Sequence, residues 1–152
     1  MINVLVFPCG SEIGLEVHNA LKYDKHINLV GLSSVSSHGR VVYKNYIEGI
    51  SFITSDTFME ELNKIIEDNN IDVLIPAYDD VILYLSEHRD ELKCKLATSN
   101  KTTCDIARSK RKTYEVLQGE WYIPETFKVS QITEKDLPLF AKPDIGQGSQ
   151  GI

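Results

Sequence analysis

A lysine and a glycine-rich segment near the end of the sequence have the residue types needed to hold phosphate groups. Lys142 and Pro143 are followed, two residues later, by the pattern Gly-x-Gly-Ser-x-Gly at 146–151. Glycines allow backbone amides to approach phosphate oxygens closely, and a lysine adds a positive point charge. The residues predicted to contact a nucleotide in this segment are Lys142, Gly146, Gln147, Gly148, Ser149 and Gly151.

Two other interpretations of the glycine-rich segment have to be considered. Residues 146–151 satisfy the dinucleotide pattern G-x-G-x-x-G, but that pattern belongs between a first strand and its helix, whereas here it follows Lys142-Pro143. The segment is also compatible with a polar tail or an ordinary hairpin loop. A glycine-rich loop that folds over a triphosphate beside a lysine fits the position better.

A second basic segment, 108–112, reads Arg-Ser-Lys-Arg-Lys. Such a run is often a solvated helix face. Nucleic-acid binding by so short a run is less expected on a chain with a net charge of −6.

The elements expected to position these residues alternate between strands and helices. The apolar runs predict strands at 2–7, 27–32, 49–53, 71–75 and 93–97, and the intervening periodicity predicts helices at 11–23, 55–70 and 78–89. This alternation is typical of an α/β fold with a Rossmann-like parallel sheet whose working edge lies at the carboxyl ends of the strands. We therefore predict one domain over residues 1–98.

The character of the sequence changes after residue 98. Two helices are predicted at 100–108 and 110–118, followed by strands at 126–129 and 139–142. We predict that residues 99–152 form a helical linker and the beginning of a second, α+β domain.

Three ordered motifs resemble the ATP-grasp ligases, in particular the family similar to the large subunit of carbamoyl phosphate synthase. The Lys142-Pro143 and glycine-rich pattern resembles the strand and flexible loop of that family. The helix with Lys110, Tyr114 and Leu117, followed by an Ile-Pro pair at 123–124, resembles its Asp-Lys-x-x-x-Tyr-x-x-Leu helix. The first 98 residues resemble the pre-ATP-grasp domain that precedes these motifs.

The resemblance implies roles for the basic residues. Lys110 and Lys142 are implied to lie near the nucleotide phosphates, and residues 146–151 to form the loop that covers them. The family's usual aspartate before the first lysine is Ser109 here, and Arg111 follows it. Either Lys110 or Arg111 could therefore be the phosphate contact.

The resemblance also implies an activity. ATP would activate a small carboxylate as an acyl phosphate, which an amine or similar nucleophile then attacks. Magnesium is implied as a cofactor, with its ligands expected beyond residue 152, so no residue of this chain is predicted to be catalytic or to bind metal. We expect the chain to be the N-terminal part of such a ligase, inactive alone. Two alternatives are a Rossmann-like nucleotide-binding or regulatory module and a non-catalytic interaction domain.

Glu12 and Asp79 are the implied substrate-binding residues. Both follow predicted strands, and in related ligases these loops face the acceptor-substrate end of the site. The alternative is that each acid caps the helix that follows it. The loop at 8–14 lacks the third glycine of a dinucleotide site, and residues 32–34 offer no ribose-binding acid.

The composition of the sequence limits the kinds of partner that this chain is expected to bind. The net charge of −6 and pI of about 5.2 argue against nucleic acid, and no signal peptide or long apolar run indicates a membrane. We expect a cytoplasmic protein, with homo-oligomerisation left open. Cys9, Cys94 and Cys104 form no C-x-x-C pair, so we expect structural thiols rather than a disulfide or zinc site. No nucleophilic role is expected for Cys9.

Overall fold

The computed structural model describes residues 1–120 and 122–146. The chain divides into two compact units, Met1–Cys104 and Asp105–Ile152. Each unit is considered by itself below.

The first unit alternates strands and helices, as the sequence predicts. Its strands are β1 (Ile2–Phe7), β2 (Ile27–Ser33), β3 (Asn45–Glu48), β4 (Val73–Pro76) and β5 (Lys95–Leu96). Its helices are α1 (Glu12–Leu21), α2 (Gly39–Val42), α3 (Phe58–Asp68) and α4 (Asp79–Glu87), with a 3-10 turn at Arg89–Glu91. Helix α5 (Lys101–Arg108) begins in this unit and ends in the second.

The five strands form one parallel sheet in the order β3-β2-β1-β4-β5. Strand β1 lies at the centre, where Leu5 is paired with Val30 of β2 on one side and Leu74 of β4 on the other. This order confirms the predicted Rossmann-like α/β fold. Because the strand order reverses between β1 and β4, the crevice between their carboxyl ends is the usual ligand position of such a sheet.

Both faces of the sheet are covered, because the side chains of a strand alternate between them. Leu5 and Phe7 of β1 point into the core that contains α3 and α4, whose buried residues include Phe58 and Leu85. On the opposite face, Val4 and Val6 pack with the buried Tyr43, which follows α2. Val17 of α1 is partly buried and packs against the same residues. The helices on both faces therefore explain why β1 is apolar without interruption from Val4 to Phe7.

The third strand lies earlier than the sequence predicts. The apolar run 49–53 is not a strand; β3 is Asn45–Glu48, and its Asn45 side chain donates to the Asn28 side chain at 2.8 Å. Gly49 has a φ of 94°, a left-handed conformation that ends the strand. Ile50 is nevertheless buried in the core, so the apolar run serves packing rather than pairing.

The second unit contains helix α6 (Lys110–Val116) and two 3-10 turns, Val129–Gln131 and Glu134–Asp136. The strands predicted at 126–129 and 139–142 are absent from the described residues of this unit. Phe140, for example, is 72% exposed. Phe127 is exposed as well, at 37%, so the two segments lack the buried apolar face that stabilises paired strands.

None of the helices in residues 1–120 and 122–146 combines the length and the apolar character that a bilayer crossing requires.

We predict that Phe58→Ala lowers the free energy of unfolding of the chain by about 3 to 5 kcal/mol, because it leaves a cavity in the core. Phe58 is fully buried, and its ring centroid lies 5.6 Å from those of both Phe7 and Tyr84. Urea denaturation followed by circular dichroism measures the effect. Phe52→Ala is the matched control, since Phe52 is 62% exposed and its removal should change stability by less than about 0.5 kcal/mol.

Candidate functional site

The crevice between β1 and β4 is tied together by one hydroxyl group. Ser11 Oγ lies 2.9 Å from the Pro8 carbonyl oxygen and 2.7 Å from the Ala77 carbonyl oxygen, so its single proton is shared between two acceptors. The same oxygen accepts from the Gly14 amide at 3.0 Å and so caps α1. The loops after β1 and β4 are thereby held in fixed relative positions.

Glycines in the loop after β1 serve close packing of the chain against itself. A Cβ atom on Gly10 would overlap the side chain of Ser37, and one on Gly14 would lie 2.6 Å from the Cys9 carbonyl oxygen. In a dinucleotide site the corresponding glycine leaves room for a pyrophosphate. Here the space beside Gly10 holds the Ser37 side chain, and the absence of a dinucleotide site at this loop stays a prediction.

Glu12 and Asp79 are the first residues of α1 and α4, the two helices that follow the crevice loops. Glu12 is exposed and Asp79 is partly buried. The N-caps of these helices are Ser11 and Tyr78, so neither acid is the cap that the alternative interpretation predicts. Acidic side chains are favourable in the first turn of a helix, so the helix dipole explains their type without a ligand. Their position at the carboxyl edge also suits substrate binding, and that role stays a prediction.

Cys9 lies in a buried, neutral cluster behind the loop. Burial raises the pKa of the Cys9 thiol to about 11 and also raises the pKa of Tyr43, whose hydroxyl donates to the Gly14 carbonyl at 2.6 Å. The His18 ring lies 4.9 Å from the Tyr43 ring, and burial, followed by the charge of Lys22, lowers the pKa of His18. The cluster favours uncharged side chains and does not activate the thiol.

The second unit contains the basic residues that the sequence singles out. Ser109 has extended backbone angles and caps α6, where its Oγ accepts from the Lys112 amide at 3.2 Å. Its side chain is buried, with the residue only 4% exposed. Ser109 thus fixes the start of α6, from which Lys110 and Arg111 project.

A carboxylate from the glycine-rich segment meets the start of this helix. Asp144 Oδ1 and Oδ2 lie 2.9 Å and 3.0 Å from Ser109 Oγ, and Oδ1 accepts from the Arg111 amide at 2.8 Å. The hydrogen bond from the Arg111 amide is the main reason that the pKa of Asp144 lies below its ordinary value. Desolvation is the next largest effect and opposes it, while Ser109 Oγ and the charges of Arg111 and Lys110 lower the pKa further.

Lys110 is the basic residue whose side chain reaches the glycine-rich segment. Its Nζ lies 3.2 Å from the Asp144 carbonyl oxygen and 3.4 Å from the Gly146 carbonyl oxygen. Arg111 contributes its backbone amide to Asp144, while the residue itself is exposed. The structure brings Lys110, Arg111 and Gly146 together and assigns the reaching side chain to Lys110. Their contact with a nucleotide stays a prediction.

Lys142 is held by Tyr114 of α6. Its Nζ lies 2.7 Å from the tyrosine hydroxyl oxygen and 5.1 Å from the ring centroid. The ammonium group is therefore at the hydroxyl end of Tyr114 rather than above its face, and the interaction is a hydrogen bond. The remaining predicted nucleotide contacts, Gln147, Gly148, Ser149 and Gly151, lie outside the described residues.

Sequence reasoning missed Asp144 and Tyr114, which organise this group of charges. The available signal was the serine at position 109, where the resembled family has an aspartate. Because position 109 lacks the family's carboxylate, a carboxylate from elsewhere in the chain could be expected beside it. Asp144, 35 residues further along the chain, supplies one. Tyr114 belongs to the helix motif, but the motif does not name its partner.

Residues 1–120 and 122–146 contain no group of three or more histidine, cysteine, aspartate or glutamate side chains able to hold a metal ion. A magnesium site beyond residue 152 stays a prediction.

The first unit therefore defines a Rossmann-like α/β domain, and comparisons with known proteins agree at the level of the fold. No protein-family model and no curated protein matches the sequence. A solved structure described as glycinamide-RNase-transformylase T from Mycobacterium tuberculosis matches with a TM-score of 0.57 at 13% identity, over 80% of this chain and 36% of that one.

Two further solved structures are similar with lower scores. N5-carboxyaminoimidazole ribonucleotide synthetase from Thermotoga maritima matches with a TM-score of 0.48 at 17% identity, over 76% of this chain and 29% of that one. dTDP-glucose 4,6-dehydratase from Bacillus anthracis, in complex with NAD, matches with a TM-score of 0.44 at 16% identity, over 63% of this chain and 37% of that one. The chain spans about a third of the length of the structures it matches.

We predict that Gly10→Ala destabilises the chain by about 1 to 3 kcal/mol, because the added methyl group overpacks the site against Ser37. In a Ser37→Gly background the same substitution should cost almost nothing, since the obstructing side chain is gone. Thermal unfolding of the four chains of this cycle measures both effects. Equal costs of Gly10→Ala in the two backgrounds would show that Ser37 does not fill the space.

We predict that the Cys9 thiol of the folded chain resists alkylation at pH 8. With a pKa of about 11, roughly one molecule in a thousand carries the thiolate at that pH, and burial slows access further. Iodoacetamide labelling followed by peptide mass spectrometry should find Cys9 modified in urea but not in buffer. Native labelling as fast as labelling in urea would contradict the burial and imply a reactive cysteine.

Proposed function

We propose that this chain is the N-terminal part of an ATP-dependent ligase of the ATP-grasp type, which activates a small carboxylate as an acyl phosphate before an amine or similar nucleophile attacks it. The observation that carries the proposal is the position of Lys110, whose ammonium group lies at the carbonyl of Gly146, the first residue of the glycine-rich segment. The two motifs that resemble this family thus meet in one unit of the chain.

The charges of this unit suit phosphate chemistry. Transfer of a γ-phosphoryl group leaves negative charge on its oxygens, and fixed positive groups stabilise that charge. Lys110 and Lys142 would supply such groups, and both are already held by neutral oxygens, namely backbone carbonyls and the Tyr114 hydroxyl. Among the contacts of residues 1–120 and 122–146, neither ammonium is paired with a carboxylate that it would have to leave in order to bind a phosphate. Magnesium, when bound, would neutralise further phosphate charge.

The fold supports the proposal without specifying the reaction. The solved transformylase structure shares its fold over 80% of this chain. At 13% identity the likeness concerns the fold, so the motifs around Lys110 and Lys142 carry the assignment to a ligase.

We assign the carboxylate and amine substrates to the carboxyl edge of the sheet, where Glu12 and Asp79 begin their helices. A dinucleotide at that edge is disfavoured, because Ser37 fills the space beside Gly10. This packing favours the ligase over a dinucleotide-binding Rossmann module. We further propose a cytoplasmic location, where ATP and Mg²⁺ are supplied and the free thiols of Cys9, Cys94 and Cys104 stay reduced.

We predict that Lys142→Ala weakens Mg-ATP binding by the complete gene product about 10- to 100-fold, because it removes a charged hydrogen-bond donor from the phosphates. Lys110→Ala should have a similar effect. Isothermal titration calorimetry measures the affinity. The matched control is Lys135→Ala, which removes an equal charge from an exposed residue of the 3-10 turn Glu134–Asp136 and should leave the affinity unchanged.

Two results would overturn the proposed function. One is the lack of saturable Mg-ATP binding by the unaltered gene product. The other is an equal loss of affinity in Lys142→Ala and Lys135→Ala, which would show that only the general charge of the protein matters. Thermal melting of each variant in the absence of ATP establishes that it is folded before the affinities are compared.

A further inference from the structure

The start of the glycine-rich segment is fastened to α6 at two chemically different points. At the first point the Asp144 carboxylate accepts hydrogen bonds from Ser109 Oγ and the Arg111 amide. At the second point the Lys110 ammonium donates to the carbonyl oxygens of Asp144 and Gly146. The Lys110 amide adds a longer hydrogen bond of 3.3 Å to the Asp144 carbonyl. A side-chain anion and a side-chain cation therefore hold the same short stretch of backbone.

The first point is the more restrictive of the two. A hydrogen bond to a charged acceptor is stronger than one between neutral groups, and both donors are fixed: one is the side chain of the buried Ser109, and the other is a backbone amide of the helix. The Lys110 ammonium, by contrast, ends a flexible four-carbon chain. The carboxylate is thus the group that determines where the Lys110 ammonium finds its carbonyl acceptors.

We propose that Asp144 is a positioning residue, whose carboxylate pairs with Ser109 to hold residues 144–146 at the start of α6 and so keeps the Lys110 ammonium beside Gly146. We call the Ser109 and Asp144 side-chain pair the 109–144 clasp. The role of the clasp in nucleotide binding rests on the proposed function, whereas the clasp itself is a property of this chain alone.

A simpler role for Asp144 makes a different prediction. If the carboxylate only stabilised the first turn of α6 as any nearby acid does, the identity of residue 109 would not matter to it. Aspartate and serine are equally good helix caps, so Ser109→Asp would then be harmless. In the clasp, Ser109→Asp instead places two carboxylates face to face, which repel each other.

The test is an exchange of the two side chains, made as Ser109→Asp, Asp144→Ser and the double variant. Hydrogen exchange of the Arg111 amide, followed by NMR in the chain of 152 residues, reports on the clasp without any nucleotide. We expect each single substitution to accelerate that exchange on the order of tenfold. The double variant restores one carboxylate and one hydroxyl, so we expect its exchange rate to return to within about threefold of the original rate.

A matched control comes from the second 3-10 turn. Asp136 accepts from both the amide and the hydroxyl of Thr133 at 2.8 Å, which is the same chemistry away from Lys110. Asp136→Ser should leave the Arg111 exchange rate unchanged. Slow exchange of the Leu5 amide in the central strand shows that each variant retains the folded first unit.

Two results would disprove the clasp. One is an Arg111 exchange rate that Ser109→Asp does not change. The other is a double variant in which the two accelerations multiply, so that the Arg111 amide exchanges faster than in either single variant. Mg-ATP affinity of the complete gene product is measured on the same variants. If the double variant restores the slow exchange of the Arg111 amide but the unaltered protein does not bind Mg-ATP, the clasp is supported and the proposed function is wrong. Mg-ATP binding that Asp144→Ser does not weaken overturns the positioning role.

Discussion

The architecture of the first unit depends on the burial of the last four residues of its central strand. Val4, Leu5, Val6 and Phe7 are all buried, so the apolar side chains of β1 require cover on both faces of the sheet. The backbone of β1 likewise requires partners on both sides, which β2 and β4 provide. Parallel pairing to both neighbours in turn requires crossover helices, and these are the elements that cover the two faces.

The same constraint determines what the carboxyl edge can do. With β1 fixed, its loop is held against the loop after β4 by the Ser11 hydroxyl and is packed against the segment that contains Ser37. The glycines of this loop permit close contact between protein atoms at Gly10 and Gly14. The acids Glu12 and Asp79 lie at the same edge, as the first residues of α1 and α4.

The phosphate-binding chemistry that we propose belongs to the second unit, in which hydrogen bonds rather than a large core set the geometry. Lys110 and Lys142 donate to neutral oxygens, and the one carboxylate in the group, Asp144, is satisfied by Ser109 and by a backbone amide. This separation leaves the positive charges uncompensated by a direct carboxylate partner among these contacts. This arrangement is the one that the proposed binding of phosphate groups requires.

The sequence by itself determined the alternating order of strands and helices, because burial on a sheet and on a helix imposes periods that are visible in the residues. It also identified Lys110, Lys142 and the glycine-rich segment as candidate ligand residues. It misplaced the third strand, since an apolar run such as 49–53 reports burial and not pairing. Only the tertiary structure decided that Gly10 serves packing and that Asp144 joins Ser109, because both depend on contacts between residues far apart in the chain.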